Sequence, residues 1–198
     1  EVPYVAAENQ AIDLRHSGFT IPGVFGPIRK NVTIEFWMKC HSLADWNQSA
    51  GPGWGQFMFH ANANGTLTAG WDISARCNAT GALKLEKWQH IAIVVERGKM
   101  SVYVDGAKKA SCNSSYTGVG GFGDLTFSAS ASGGFDAEID ELRIWDKTFD
   151  DFDVYGRSVE VGSAGLMDKL LVYYKGDVIR SGGEYKLRDY GPNRTHAS

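Results

Sequence analysis

The sequence predicts an all-β fold: two antiparallel sheets packed as a β-sandwich, with one short helix after the late strand. Three observations predict it. Short segments alternate apolar and polar side chains, so each has one face suited to a core. Twenty-four glycines fall largely between those segments, where tight turns need them. The chain has 198 residues and 43% hydrophobic side chains, which suits one sandwich domain spanning 1–198.

The first clear strand runs from Asn31 to Cys40, with Val32, Ile34, Phe36, Met38 and Cys40 on one face and Thr33, Glu35, Trp37 and Lys39 on the other. Gln56–Ala61 and Leu67–Ala75 flank the Asn64-Gly65 turn and read as a hairpin. In the second of these, Leu67, Ala69, Trp71, Ile73 and Ala75 alternate. The central pair is Trp88–Glu96 and Lys99–Asp105, joined through Arg97-Gly98, with Ile91, Ile93, Val95, Met100, Val102 and Val104 facing inward. Asp105-Gly106 turns the chain into Ala107–Cys112, and Leu125–Ala129 and Glu138–Trp145 follow. Thr148 followed by Asp151 fits a helix cap, with Phe149 and Phe152 as an i, i+3 apolar pair. Leu166–Tyr174 returns to strand, and Arg188 to Asn193 reads as a turn.

Composition narrows the partners. A charged fraction of 22% argues against disorder, and a net charge of −3 offers no basic face for nucleic acid or an anionic membrane. No apolar run is long enough to insert in a bilayer as a helix. Glu1-Val2-Pro3-Tyr4 lacks the features of a signal peptide, so the chain reads as a mature secreted product or an excised domain.

The three cysteines, Cys40, Cys77 and Cys112, have no CxxC spacing, which excludes the usual structural zinc sets. In a secreted chain the pairing to expect is Cys77–Cys112; three buried thiols are the alternative. Asparagine speaks more directly to compartment. Six of the eight asparagines head an N-x-[ST] pattern: Asn31, Asn47, Asn64, Asn78, Asn113 and Asn193. Chance at this Ser and Thr content predicts about one. The pattern implies an extracellular or cell-surface glycoprotein.

Four segments taken together carry a family resemblance. Trp88-Gln89-His90-Ile91-Ala92-Ile93-Val94-Val95 followed by Met100-Ser101-Val102-Tyr103-Val104-Asp105-Gly106 resembles the central hairpin of laminin-G-like and pentraxin-like jelly rolls. Glu138-Ile139-Asp140-Glu141-Leu142-Arg143-Ile144-Trp145 resembles their late strand, and Val32 to Lys39 their first long core strand. Leu171-Val172-Tyr173-Tyr174 to Asp189-Tyr190-Gly191 is similar to their returning terminal segment with its Asp-x-Gly turn. The resemblance implies the concanavalin A-like lectin/glucanase superfamily, whose fold hosts lectins, receptors, adhesins and glycosidases.

Catalysis is poorly supported. Retaining glucanases of this superfamily carry Glu-x-Asp-x-Glu, or a variant one residue longer, on a strand that lines the cleft. Glu138 and Asp140 match the first two positions, but Leu142, or Arg143 in the longer register, stands where the acid/base should be. Glu141 is one residue off and in a regular strand faces the other side. The five histidines are isolated, His90 reads as a hydrogen-bonded structural residue, and no Gly-x-Ser-x-Gly elbow occurs. Many members of the superfamily bind calcium at the sandwich rim. The loop that would supply most ligands, Ser128 to Asp136, offers Asp136, with Asp124 from the preceding loop as a contributor.

The segment Asp45-Trp46-Asn47-Gln48-Ser49-Ala50-Gly51-Pro52-Gly53-Trp54-Gly55-Gln56 has the most unusual composition. A sugar presents an apolar C–H face and a ring of hydroxyls, so its site wants an aromatic platform edged by Asp, Asn or Gln. Trp46 and Trp54 with Asp45, Asn47 and Gln56 fit that need, and Trp71 and His60 on the adjoining hairpin extend it. The competing structural reading folds both tryptophans back over a sheet edge, and a glycan on Asn47 would crowd Trp46. The sequence therefore predicts a non-catalytic extracellular carbohydrate-binding or adhesive module whose partner is a glycan or an extracellular glycoprotein. A protein-interaction domain of a larger extracellular assembly is the alternative, and a β-glycanase the third reading.

Overall fold

The computed structural model describes residues 11–43, 48–51, 57–70, 76–113, 118–121, 123–130, 134–150, 152, 166–181 and 183–197. Their strands are β1 (Ile12–Asp13), β2 (Phe19–Phe25), β3 (Asn31–Cys40), β4 (Gln48–Ala50), β5 (Met58–Ala61), β6 (Leu67–Gly70), β7 (Arg76–Ala79), β8 (Trp88–Glu96), β9 (Lys99–Val104), β10 (Ala107–Asn113), β11 (Gly123–Phe127), β12 (Ala137–Trp145), β13 (Leu170–Ser181) and β14 (Glu184–Asp189). They form two antiparallel sheets. The larger runs β10-β9-β8-β3-β12-β13-β14, with β1 also pairing with β12; the smaller runs β2-β11-β4-β5-β6-β7.

Alternation decides what lies between the sheets. Val32, Ile34, Phe36, Met38 and Cys40 of β3, Ile91, Ile93 and Val95 of β8, and Met100, Val102 and Val104 of β9 are all buried in one core. Leu67 and Ala69 of β6 and Phe59 and Ala61 of β5 meet them from the smaller sheet. Phe36 reaches across to Phe59 at 5.6 Å and meets Phe127 edge-on at 5.9 Å. Such aromatic pairs add about 1 kcal/mol each beyond the area they bury.

The larger sheet is buried on its outer face as well. Thr33, Glu35 and Trp37 of β3, His90 and Ala92 of β8 and Tyr103 of β9 are all buried. Phe152 packs on Tyr103 at 4.6 Å, and Phe149 meets Trp145 edge-on at 5.4 Å. The i, i+3 phenylalanine pair thus covers the sheet, although Thr148–Asp150 are bend and irregular chain rather than helix. The helical turn described after β12 is a 3-10 turn at Met167–Lys169; residues 153–165 lie outside the described residues.

Two strand expectations need correction. Leu67–Ala75 is not one strand: β6 stops at Gly70, which pairs antiparallel with Arg76, so the chain reverses between them. Segment 45–56, given no strand from its sequence, contains β4, since Gln48–Ala50 pairs with β5 and, through Ala50, with Phe127 of β11. Three residues are too few to display a period. Cys77 and Cys112 form a disulfide with Cα atoms 5.5 Å apart, joining β7 at the end of one sheet to β10 at the end of the other; Cys40 is a buried thiol.

Candidate functional site

The late strand β12, which carries Glu138, Asp140 and Glu141, has a geometry dominated by a bulge. Asp140 opposes Trp37 and Arg143 opposes Glu35, so Glu141 and Leu142 together face Phe36 alone. Glu141 takes up the extra length at φ +54°, and the buried Asp140 carboxylate accepts its amide hydrogen at 2.7 Å. Leu142 drops into the core. Glu141 therefore does not turn to the opposite face as a regular strand would require. Its Oε2 accepts from the Tyr173 hydroxyl at 2.5 Å and pairs with the Arg143 guanidinium, which stacks 4.5 Å over the Tyr173 ring.

Glu138 is held in a different cluster. It lies 2.8 Å from His41 Nε2, while His41 Nδ1 lies 2.9 Å from Glu86; Arg15 and Lys39 stand 3.7 and 4.0 Å from Glu138. The three carboxylates of the Glu138–Glu141 run are thus committed to structural partners: a charge cluster, a bulge amide and a buried arginine. His90, within the central hairpin, lies 3.2 Å from buried Glu35, whose other oxygen accepts from Trp145 Nε1 at 2.8 Å.

Most residues named for a sugar site belong to connections of the smaller sheet. The antiparallel pairs Ala50↔Phe59 and Gly70↔Arg76 send two connections, 52–56 and 71–75, from the same end of that sheet. Trp54 and Gln56 belong to the first and Trp71 to the second. Asp45, Trp46 and Asn47 precede Gln48 and so enter β4 from its other end. These six residues lie outside the described residues; connectivity alone places the strand ends from which they depart.

His60 is described. It sits on β5 between Ser49 and Thr68, on the face away from the core, yet only 3% exposed. Met58, Gly70 and Arg76 surround it and leave no space there for a water molecule. Burial, with the nearby Arg76 charge, pushes the His60 pKa down to about 4, so it is neutral near pH 7.

The aspartates named for calcium are not brought together. Asp124 accepts the amide hydrogen of Gly23 at 2.8 Å and so ties β11 to β2. Asp136, just before β12, accepts from Ser42 Oγ at 2.5 Å beside the His41 cluster. Among the described residues no three His, Cys, Asp or Glu side chains are grouped to hold a metal. Of the six sequon asparagines, Asn64, Asn78, Asn113 and Asn193 are exposed, Asn31 is half-buried at the start of β3, and Asn47 lies outside the described residues.

One feature has no signature in the sequence. A polar cleft of about 390 Å³ opens on the outer face of β8–β10, lined by Glu96, Lys99, Tyr103, Lys108, Phe149 and Asp150 among others. Its walls come from three strands and a distant bend, so no local pattern announces it.

Comparison with known proteins decides the family. The family model described as the concanavalin A-like lectin/glucanases superfamily matches residues 10–155. The chain belongs to the concanavalin A-like lectin/glucanase superfamily. Among solved structures, this superfamily member resembles a protein of Bacteroides ovatus to which carbohydrate binding is ascribed. The identity is 19% over 92% of this chain, with a TM-score of 0.70, and the chain spans 57% of that protein's length. It also resembles domains LG4-5 of the mouse laminin α1 chain, at 14% identity, 74% of this chain, 44% of that one and TM-score 0.53. A third likeness is to the CBM40 of the Ruminococcus gnavus IT-sialidase bound to α2,3-sialyllactose, at 10% identity, 71% of this chain, 91% of that one and TM-score 0.52. No curated protein sequence matches the chain.

Proposed function

We propose that this chain is a non-catalytic carbohydrate-binding module that works outside the cell. Its glycan is taken at the end of the smaller sheet from which segments 52–56 and 71–75 depart. The observation that carries the reading is the strand pairing by which segments 52–56 and 71–75, which contain Trp54, Gln56 and Trp71 in sequence, leave one end of the smaller sheet. The carbohydrate-binding role ascribed to the Bacteroides ovatus protein and the sialyllactose held by the CBM40 domain support it. Its non-catalytic character is supported by Glu138, Asp140 and Glu141, each engaged with a structural partner. The extracellular setting is supported by six sequons and by the Cys77–Cys112 disulfide, a bond rare in cytosolic proteins.

A glycan array of wild type beside Trp46→Ala, Trp54→Ala and Trp71→Ala tests the proposal. Binding that survives Trp46→Ala and is lost in Trp54→Ala or Trp71→Ala supports the site. Loss in Trp46→Ala alone moves the site to the other end of β4. No binding to any glycan overturns the reading in favour of an interaction domain in a larger extracellular assembly. Hydrolysis of a β-glucan that disappears in Glu138→Gln overturns its non-catalytic part.

A further inference from the structure

The disulfide and two of the sequons occupy the same place in the fold. Cys77 is followed by Asn78-Ala79-Thr80 and Cys112 by Asn113-Ser114-Ser115, so each half-cystine sits immediately before an acceptor asparagine. β7 and β10 are the terminal strands of their sheets among the described residues. On β7, Cys77 and Ala79 are fully buried toward the core while Asn78 between them is exposed on the outer face of the smaller sheet. On β10, Cys112 pairs with the core residue Met100, and exposed Asn113 pairs with Lys99 on the outer face of the larger sheet. The two amides therefore leave one seam of the sandwich in opposite directions. Thr68 Oγ1 donates to Asn78 Oδ1 at 2.9 Å, a bond that substitution at Nδ2 leaves intact.

We infer that Asn78 and Asn113 are both N-glycosylated and that the pair of glycans caps the disulfide-closed edge of the sandwich. In each modification an Nδ2–H is replaced by an N–C bond to the anomeric carbon of an oligosaccharide. The donor is an oligosaccharide on a polyprenyl diphosphate; the lipid diphosphate leaves and the amide proton passes to a base. Terminal strands expose unpaired amides and carbonyls that invite pairing with another chain. β10 already carries exposed Lys108 and Lys109 and a register irregularity between Lys108 and Ala110, both devices that discourage such pairing. Two glycans flanking the seam extend that protection to β7 and screen the polar cleft beside Lys99.

The inference rests on the extracellular setting proposed above but not on sugar binding. The chain is expressed through a eukaryotic secretory pathway, and its peptides are mapped after enzymatic glycan release in ¹⁸O water, which marks each occupied asparagine. Occupancy at both Asn78 and Asn113, in chain whose Cys77–Cys112 bond is intact, is expected; either site empty overturns the inference. The double variant Asn78→Gln/Asn113→Gln, checked for the same disulfide and circular dichroism, is expected to shift from monomer to dimer or larger in light scattering. If it stays as monomeric as wild type, the capping role is overturned. A negative glycan array with both sites occupied sinks the binding proposal alone.

Discussion

The Asp189 carboxylate accepts the amide hydrogen of Tyr173 at 2.8 Å, and this bond locks the terminal segment onto β13. The same oxygen takes the amide of Gly191 at 2.7 Å, and the other takes that of Thr195 at 2.7 Å. Asp189 is fully buried, so its removal strands three backbone donors in the interior. Asp189→Ala is expected to destabilise the chain by about 3 kcal/mol, read as a shift in urea midpoint. A loss under about 0.5 kcal/mol would mean water satisfies those amides and the turn is no anchor.

Glu35 gives the protein an acid-sensitive point. Burial opposes its ionisation, yet the hydrogen bond and charge of His90, with Arg143 and the Trp145 indole, hold its carboxyl below the usual range. A folded pKa below the unfolded value of 4.5 contributes stability that is present above pH 4.5 and is lost as pH falls through the folded value. Glu35→Gln keeps an acceptor for Trp145 but cannot ionise. The stability gap between wild type and this variant should narrow as pH falls below 4.5; a constant gap from pH 7 to 3 contradicts the assignment.

His60 acts over a different window. Its pKa is about 4 when folded and 6.5 in the free side chain, so between those values the unfolded chain binds the extra proton. Stability should therefore fall as pH drops from 6.5 to about 4, by on the order of 3 kcal/mol, and level off below. His60→Gln should flatten that part of the profile. Equal slopes in wild type and variant would show that His60 is not the residue responsible.

The bulge makes a prediction about carboxylates that resemble catalytic ones. Arg143 is buried and charged, and Glu141 forms an ion pair with it. Glu141→Ala removes that pairing and should cost about 3 kcal/mol, whereas half-exposed Glu138→Gln should cost under about 1 kcal/mol. Neither is expected to change glycan affinity. Thermal melts and titration of a bound oligosaccharide separate the two effects.

Much of the fold was legible because β3, β8 and β9 are long enough for period-2 alternation to show, and Val32 to Cys40 meet the core as that alternation requires. The second buried face was not legible. Thr33, Glu35 and His90 are polar, and nothing in the alternation says that a cover including Phe149 and Phe152 and a chain of polar contacts buries them. The reversal after Gly70 was missed because Trp71, Ile73 and Ala75 happen to continue the alternation of β6, although the pairing of Gly70 with Arg76 ends the strand. Glu141 was misplaced because alternation presumes a regular strand, and nothing local marks a bulge that an aspartate holds from the preceding residue. The candidate site residues Trp46, Trp54 and Trp71 lie outside the described residues, and β4, which separates Trp46 from Trp54 along the chain, is too short to show a period in the sequence.

The single disulfide also gives the molecule a direction of opening. Its 35-residue span contributes about 3–4 kcal/mol by restricting the unfolded chain, but its position has a separate effect. β7 and β10 cannot part, so the two sheets behave like covers bound along one spine. Separation must begin at the opposite margin, where β2 and β14 end their sheets and Phe19 meets Tyr174 at 6.3 Å. Amide hydrogens of β14 and β2 should then exchange with solvent through openings that leave β7 to β10 protected. A pulling force applied across the spine should meet far more resistance than one applied across the fore-edge.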